Sequence, residues 1–206
     1  MSFRDFKFPA VVTDLGMTLR QAPLFAGVPS HPIRDDLLAR LASGLLVSQG
    51  LNNEKARSEF VVAPLLLELW DVSGRAFGLH SGTEIIVDEA AGLNGVCDFL
   101  LARDPLVFVV RAPVLAIIEA KNDNVWNGFG QCVASMHAVA RMNRDANIDR
   151  PVFGASTTGR DWKFFRLDGT VLTIDSVEYA LPTEADKLAG ILLGIVATTT
   201  PPTATD

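Results

Sequence analysis

The chain has 206 residues, 49% of them hydrophobic and 20% charged, which is enough length for one domain with a real core and excludes a disordered or low-complexity protein. Its 18 basic and 24 acidic residues leave a net charge of -6, so a generic basic nucleic-acid-binding module is excluded, because phosphate contacts need clustered Lys and Arg. A site built from carboxylates would lower the charge in the same way, so a metal-dependent enzyme acting on nucleic acid stays open.

Residues 1–8 alternate charge with Phe and lack the continuous apolar core of a signal peptide. The most apolar later run, residues 188–196, is too short to span a bilayer and contains Gly190 and Gly194. Cys97 and Cys132 lie in apolar surroundings without CxxC spacing and read as reduced, buried thiols. A cytoplasmic protein without a membrane anchor is expected.

Residues 1–30, rich in Pro, Gly and Phe, are expected to be an irregular arm over a single domain. The spacing of Leu37, Leu38, Leu41, Leu45 and Leu46 predicts a helix over 33–48 with these as its apolar stripe. Asn52 and Asn53 are candidate caps for a second helix reaching Trp70, with Pro64 removing one backbone bond and bending it.

Strand patterns follow at 83–88, 95–102, 106–110 and 113–121. Phe108, Val110 and the Ile117–Ile118 pair suit positions covered on both faces of a sheet. The polar turn Asn122, Asp123 and Asn124 can cap a long helix over 125–143, with Phe129, Cys132, Val133, Met136 and Ala140 as core stripe. Residues 151–156 return as a strand, and 162–167 with 170–174 form a hairpin around Asp168 and Gly169. A last helix begins near Thr183 and fades before a frayed tail at 198–206. The order of elements indicates an α/β fold, a central mixed sheet with helices on both faces.

The chemistry concentrates where the strand of residues 113–121 ends. Glu119 and Lys121 stand two apart on a strand, so both point to the same face; if buried, such a pair must be ion-paired or bound to a metal, and the competing reading is an ordinary solvated strand end. Asp98 is an acid inside the preceding strand, among Val96, Cys97, Phe99 and Leu100. Two adjacent strands that each deliver a carboxylate to one edge form an oxygen-rich pocket suited to Mg²⁺. The competing reading of Asp98 is a strand-end acid that caps a turn or pairs with Arg103. Glu59 precedes Val62, Ala63, Leu66 and Trp70 at helical spacing, which predicts a carboxylate on a buried face; a helix rotated after Pro64 would leave it solvated. Gln131, early in the long helix, can reach back toward a substrate phosphate or the metal-bound water, or be a plain surface glutamine.

In this order the motifs resemble the PD-(D/E)XK nuclease superfamily, whose core is restriction-endonuclease-like. They are Glu59 on an early helix, Gly95-Val96-Cys97-Asp98 in a strand, Glu119-Ala120-Lys121 on the next strand, and Gln131 on the helix after it. The resemblance covers residues 53–168. The segments 128–136 and 154–165 are also similar to small bacterial proteins of unassigned role and to the N-terminal nuclease domain of type I restriction subunits. It implies a four-stranded core sheet and Mg²⁺ (or Mn²⁺) held by Asp98, Glu119 and the Ala120 carbonyl. It also implies a catalytic set of Glu59, Asp98, Glu119, Lys121 and Gln131 that hydrolyses DNA, with RNA as an open alternative and a homodimer as the arrangement of double-strand cutters. The turn before Gly-x-x-Asp must here come from Leu93, Asn94 and Gly95. A non-catalytic member of the same fold, acting as a binding module, is the competing function.

Other signals point elsewhere or nowhere. His31, His80 and His137 lack zinc spacing. Trp162, Phe164 and Phe165 read either as base-stacking rings or as core aromatics of a hairpin. Arg141, Arg144 and Arg150 form either a phosphate-contacting patch or a solvated helix end that complements the dipole.

Overall fold

The computed structural model describes residues 1–105 and 108–197. Among these residues seven strands form one mixed sheet in the order β1-β7-β6-β5-β4-β3-β2. They are β1 (Thr18–Ala22), β2 (Gly78–Asp88), β3 (Leu93–Ala102), β4 (Val114–Ala120), β5 (Val152–Thr157), β6 (Asp161–Asp168) and β7 (Val171–Ala180). The β1–β7 and β4–β5 pairs are parallel and the others antiparallel.

Helices cover both faces. On one face lie α1 (Ala10–Asp14) and α5 (Phe129–Asp145); on the other lie α2 (Asp35–Leu51), α4 (Ala63–Val72) and α6 (Ala185–Ala197). Alternation along the strands divides the core in two: Leu100, Ile117 and Phe165 pack toward α5, while Phe99, Ile118 and Phe164 pack toward α2, α4 and α6. Strand β4, whose residues are all buried, feeds through α5 into its parallel neighbour β5, the geometry that a crossover helix imposes. Asn143 pins the far end of β4, since its side chain accepts from the Val114 N–H and donates to the Val114 carbonyl, each at 2.8 Å.

The N-terminal region is not an arm laid over the domain. Phe3, Phe6, Val11, Val12 and Met17 are buried in the α5-side core, and β1 forms an edge of the sheet. The segment is apolar enough to be worth burying, and its partners lie far along the chain. In α2, Leu37 and Leu41 are buried while Leu46 is 72% exposed, so the apolar stripe is narrower than the leucine spacing suggests. The turn before the acidic strand motif falls at 89–92, where Gly92 has φ +74° and donates to the Glu89 carbonyl; Leu93, Asn94 and Gly95 already belong to β3. The strand expected at 106–110 falls partly outside the described residues. Residues 108–110 are not in a strand, and Phe108 is 91% exposed rather than covered. The tail at 198–206 lies outside the described residues. Among the described residues no helix is long and apolar enough to cross a membrane.

Asn52 and Asn53 divide two roles. Asn52 ends α2 in the left-handed conformation, and the Asn53 side chain accepts the Ala56 N–H at 2.8 Å to start α3 (Glu54–Arg57). Between α3 and α4 runs a π-helical turn, Ser58–Val62, closed by the Ala63 N–H to the Ser58 carbonyl. Pro64 is the second residue of α4, separated from that turn by Ala63 alone. A proline in regular α-helix would clash with the carbonyl four residues back, and the wide turn relieves that conflict without ending the helical path.

Candidate functional site

The β3–β4 ladder ends with Phe99 opposite Ile118. Beyond that pair the two strands part, and the first residues past the split are Asp98 and Glu119. The Ala120 N–H, released from the ladder, donates to Asp98 Oδ2 at 2.8 Å. This single bond explains an acid within an apolar strand: its carboxylate replaces a strand as the partner of a backbone donor.

Glu119 is fully buried on the α5 face. One oxygen, Oε2, accepts from Gln131 Nε2 at 2.6 Å, so the glutamine is buried against the strand carboxylate rather than at the surface. The other oxygen, Oε1, has no hydrogen-bond partner. Burial pushes the Glu119 carboxyl well above the ordinary carboxylate range, and the neighbouring Asp98 charge raises it further; Lys121 acts in the opposite direction but does not offset both. Asp98 is within hydrogen-bonding reach of Glu119 when a proton is shared between them.

Lys121, with a nearly buried side chain, places Nζ 3.9 Å from Glu119 Oε2 and 3.8 Å from Glu54 Oε2. Its stem packs against Gly128, the last residue of a 3₁₀ turn, Val125–Gly128, that leads into α5. A Cβ at Gly128 would lie 2.9 Å from Lys121 Cγ and collide with Ser156 Oγ. Ser156 in turn donates to the Val125 carbonyl at 2.6 Å. Glycine at this position is therefore what lets strand, turn and lysine close up.

The split strands thus bring together Asp98, Glu119, Ala120, Lys121 and Gln131. Glu59 is not among them. Its side chain is 54% exposed and pairs loosely with Lys55 at 3.7 Å. The π turn inserts one extra residue, so an apolar ladder drawn through Glu59 at regular helical spacing slips across it and faces the wrong way. The early-helix acid at the site is instead Glu54, one residue past the Asn53 cap. Sequence reasoning missed it because an acid in a first helical turn has a sufficient local explanation in the helix dipole.

The rings of Trp162, Phe164 and Phe165 are fully buried, so they are core aromatics. Arg141 bonds Asp88 at 2.7 Å and sits toward the opposite end of α5 from Gln131. Cys97 and Cys132 are free and buried, with both thiols pushed up by burial.

For a divalent cation, the donors fit in kind. Glu119 Oε1 is a buried carboxyl oxygen without a hydrogen-bond partner, Asp98 supplies a second carboxyl group beside Glu119, and hard oxygen donors of this kind suit Mg²⁺ and Mn²⁺ once deprotonated. Among the described residues no cluster of three or more His, Cys, Asp or Glu is placed to hold a metal, so the Ala120 carbonyl and water would have to complete the shell. Two acids and an ammonium at one notch can bind a cation and neutralise a phosphate. Compared with known proteins, the chain matches no family model and no curated protein.

Proposed function

We propose that the chain is a Mg²⁺-dependent nuclease of the PD-(D/E)XK type with a restriction-endonuclease-like core, hydrolysing DNA phosphodiester bonds. The observation that carries this reading is the fully buried Glu119, which has one unpartnered oxygen, Asp98 as a neighbouring acid at the sheet split, and Lys121 at 3.9 Å from its other oxygen. Leaving a buried carboxylate oxygen unsatisfied costs about 1–3 kcal/mol or more, a cost that a bound cation would remove.

In this proposal Asp98, Glu119 and the Ala120 carbonyl hold the ion. Bound Mg²⁺ supplies Lewis-acid polarisation of the phosphoryl oxygen and a lowered pKa for water. Gln131 fixes the Glu119 carboxylate through its 2.6 Å bond. Lys121 orients the attacking water and offsets negative charge that develops on the phosphate. Glu54 holds the lysine amine from the far side.

Purified protein supplied with Mg²⁺ or Mn²⁺ should cut DNA, and Lys121→Ala should abolish cutting while the domain stays folded. Equal cutting by both proteins identifies a contaminating nuclease and defeats the proposal. One observation favours a second reading, a non-catalytic binding module of the same fold: Asp98 Oδ2 and Glu119 Oε2 are already engaged by protein donors. Calorimetry separates the two, because the nuclease must take up divalent metal and lose that affinity in Asp98→Asn.

A further inference from the structure

The chain has three tryptophans, of which Trp162 is buried, Trp70 is half-buried beneath the Arg75 guanidinium and Trp126 is exposed. Trp70 donates its indole N–H to the Phe77 carbonyl, and Trp162 is buried with its N–H on the Gly159 carbonyl. Trp126 is 53% exposed, in the short turn that links Lys121 to Gln131. Its ring lies on Phe129 with centroids 4.5 Å apart and planes 27° from parallel. Phe129 is itself wedged edge-on by Phe165 at 4.6 Å and Phe8 at 5.5 Å, so Trp126 is the outermost ring of an anchored aromatic stack.

The backbone beneath it is equally fixed. Asn124 accepts the Trp126 N–H at 2.9 Å, the Val125 carbonyl accepts from Ser156, and Gly128 abuts Lys121. A rigid indole with its inner side stacked therefore stands in the turn between Lys121 and Gln131, two residues before the Gly128 that abuts the lysine stem.

Cations lie on both sides of this turn, interleaved with the acids Glu54, Asp123 and Asp5. Arg57 donates to Asn122 Oδ1 at 3.3 Å and to the Thr158 carbonyl at 3.0 Å, which sets its guanidinium beside the strand end that carries Lys121. Lys55, next to Glu54 in sequence, is paired with Glu59 at 3.7 Å and adds no net charge there. From the other side the backbone of Phe6 and Lys7 presses on Gly130, carrying Lys7 and Arg4 toward the start of α5. Arg4 is near enough for its charge to favour the ionised form of Glu119.

We propose that Trp126 is a stacking platform for an unpaired nucleobase, and that the notch therefore takes single-stranded or frayed DNA in preference to intact duplex. This rests on the nuclease reading for the notch but on separate residues. A base within a duplex has both faces covered by its neighbours, whereas an unpaired base can lay one face on the indole. Such stacking is tolerant of sequence and amounts to about 1–3 kcal/mol per base. The cations on either side of the turn track the backbone of the same strand.

The test uses a fluorescein-labelled, mixed-sequence single-stranded oligodeoxynucleotide and the matching blunt duplex, titrated in chelator-containing buffer so that no cutting occurs. Wild type should bind the single strand more tightly than the duplex. Trp126→Ala should weaken single-strand binding roughly five- to hundred-fold, with little change for duplex. Trp126→Phe should retain most of the affinity, and circular dichroism with thermal unfolding should show both variants folded. Equal single-strand binding by wild type and Trp126→Ala, no single-strand binding by wild type, or a preference for duplex overturns the proposal. Cutting is read separately with Mg²⁺. Trp126-dependent binding by a protein that never cuts keeps the platform and defeats the nuclease reading. Metal-dependent cutting that favours duplex and ignores Trp126 does the reverse.

Discussion

Replacing Glu119 by Gln should stabilise the metal-free protein above the ordinary carboxylate range, and the gain should grow as pH rises toward the raised folded value. Glu119 is fully buried, and burial together with Asp98 raises its carboxyl in the folded state well above its unfolded value. Between those two values the folded protein holds a proton that the unfolded chain has released. Stability from this group is therefore complete below the ordinary carboxylate range and is lost as pH rises through the raised folded value. Within that window the loss is at most about 1.4 kcal/mol per pH unit. Glutamine keeps the shape and does not titrate, and Gln131 can rotate its terminal amide to present oxygen to the new side chain. Urea unfolding of both proteins across this pH range, in chelator, measures the difference directly. The difference should be flat in acid and widen with pH, and divalent metal should narrow it by stabilising only the wild type. A pH-independent difference, or a variant less stable throughout, would refute the argument.

Three further outcomes follow from the same geometry. Glu59→Gln should leave both stability (within about 0.5 kcal/mol) and DNA cutting unchanged, because the side chain is solvated, while Glu54→Gln should lower the cutting rate by freeing Lys121; parallel rate measurements check this. Gly128→Ala should cost roughly 1–3 kcal/mol and displace Lys121, since its Cβ meets Ser156 Oγ and the lysine stem; thermal unfolding and a crystal structure would show both effects. Asn143→Leu should cost about 1–3 kcal/mol per stranded backbone group, read by denaturant unfolding, because the Val114 N–H and carbonyl lose buried partners.

Much of the site was legible because strand alternation is a strong local rule. Glu119 and Lys121 had to share a face wherever the strand lay, and the helix after it had to start close to the strand end. The parting of β3 and β4 was not legible, since it is a property of pairing rather than of either segment. Glu59 was misplaced because the inserted residue of the π turn is invisible to a periodicity count, although Pro64 marks the conflict that the turn resolves. Strand β1 escaped for another reason. It is exposed along most of its length, carries no alternating pattern, and exists only because residues 171–175 supply its partner. Phe108 shows the converse error, an aromatic inside a β-like run that ends up almost fully solvated.

The thiols of Cys97 and Cys132 lie at the floor of the notch with no exposed surface, and the Cys132 S–H leans on the Ala155 carbonyl at 3.6 Å. A thiol reagent can modify them only when β3, β4 and α5 separate, so the labelling rate becomes a clock for spontaneous opening of this part of the molecule. With two sulfurs under one carboxylate, that clock would slow on saturation with any cation that tightens the split, giving an occupancy assay that needs neither nucleic acid nor turnover.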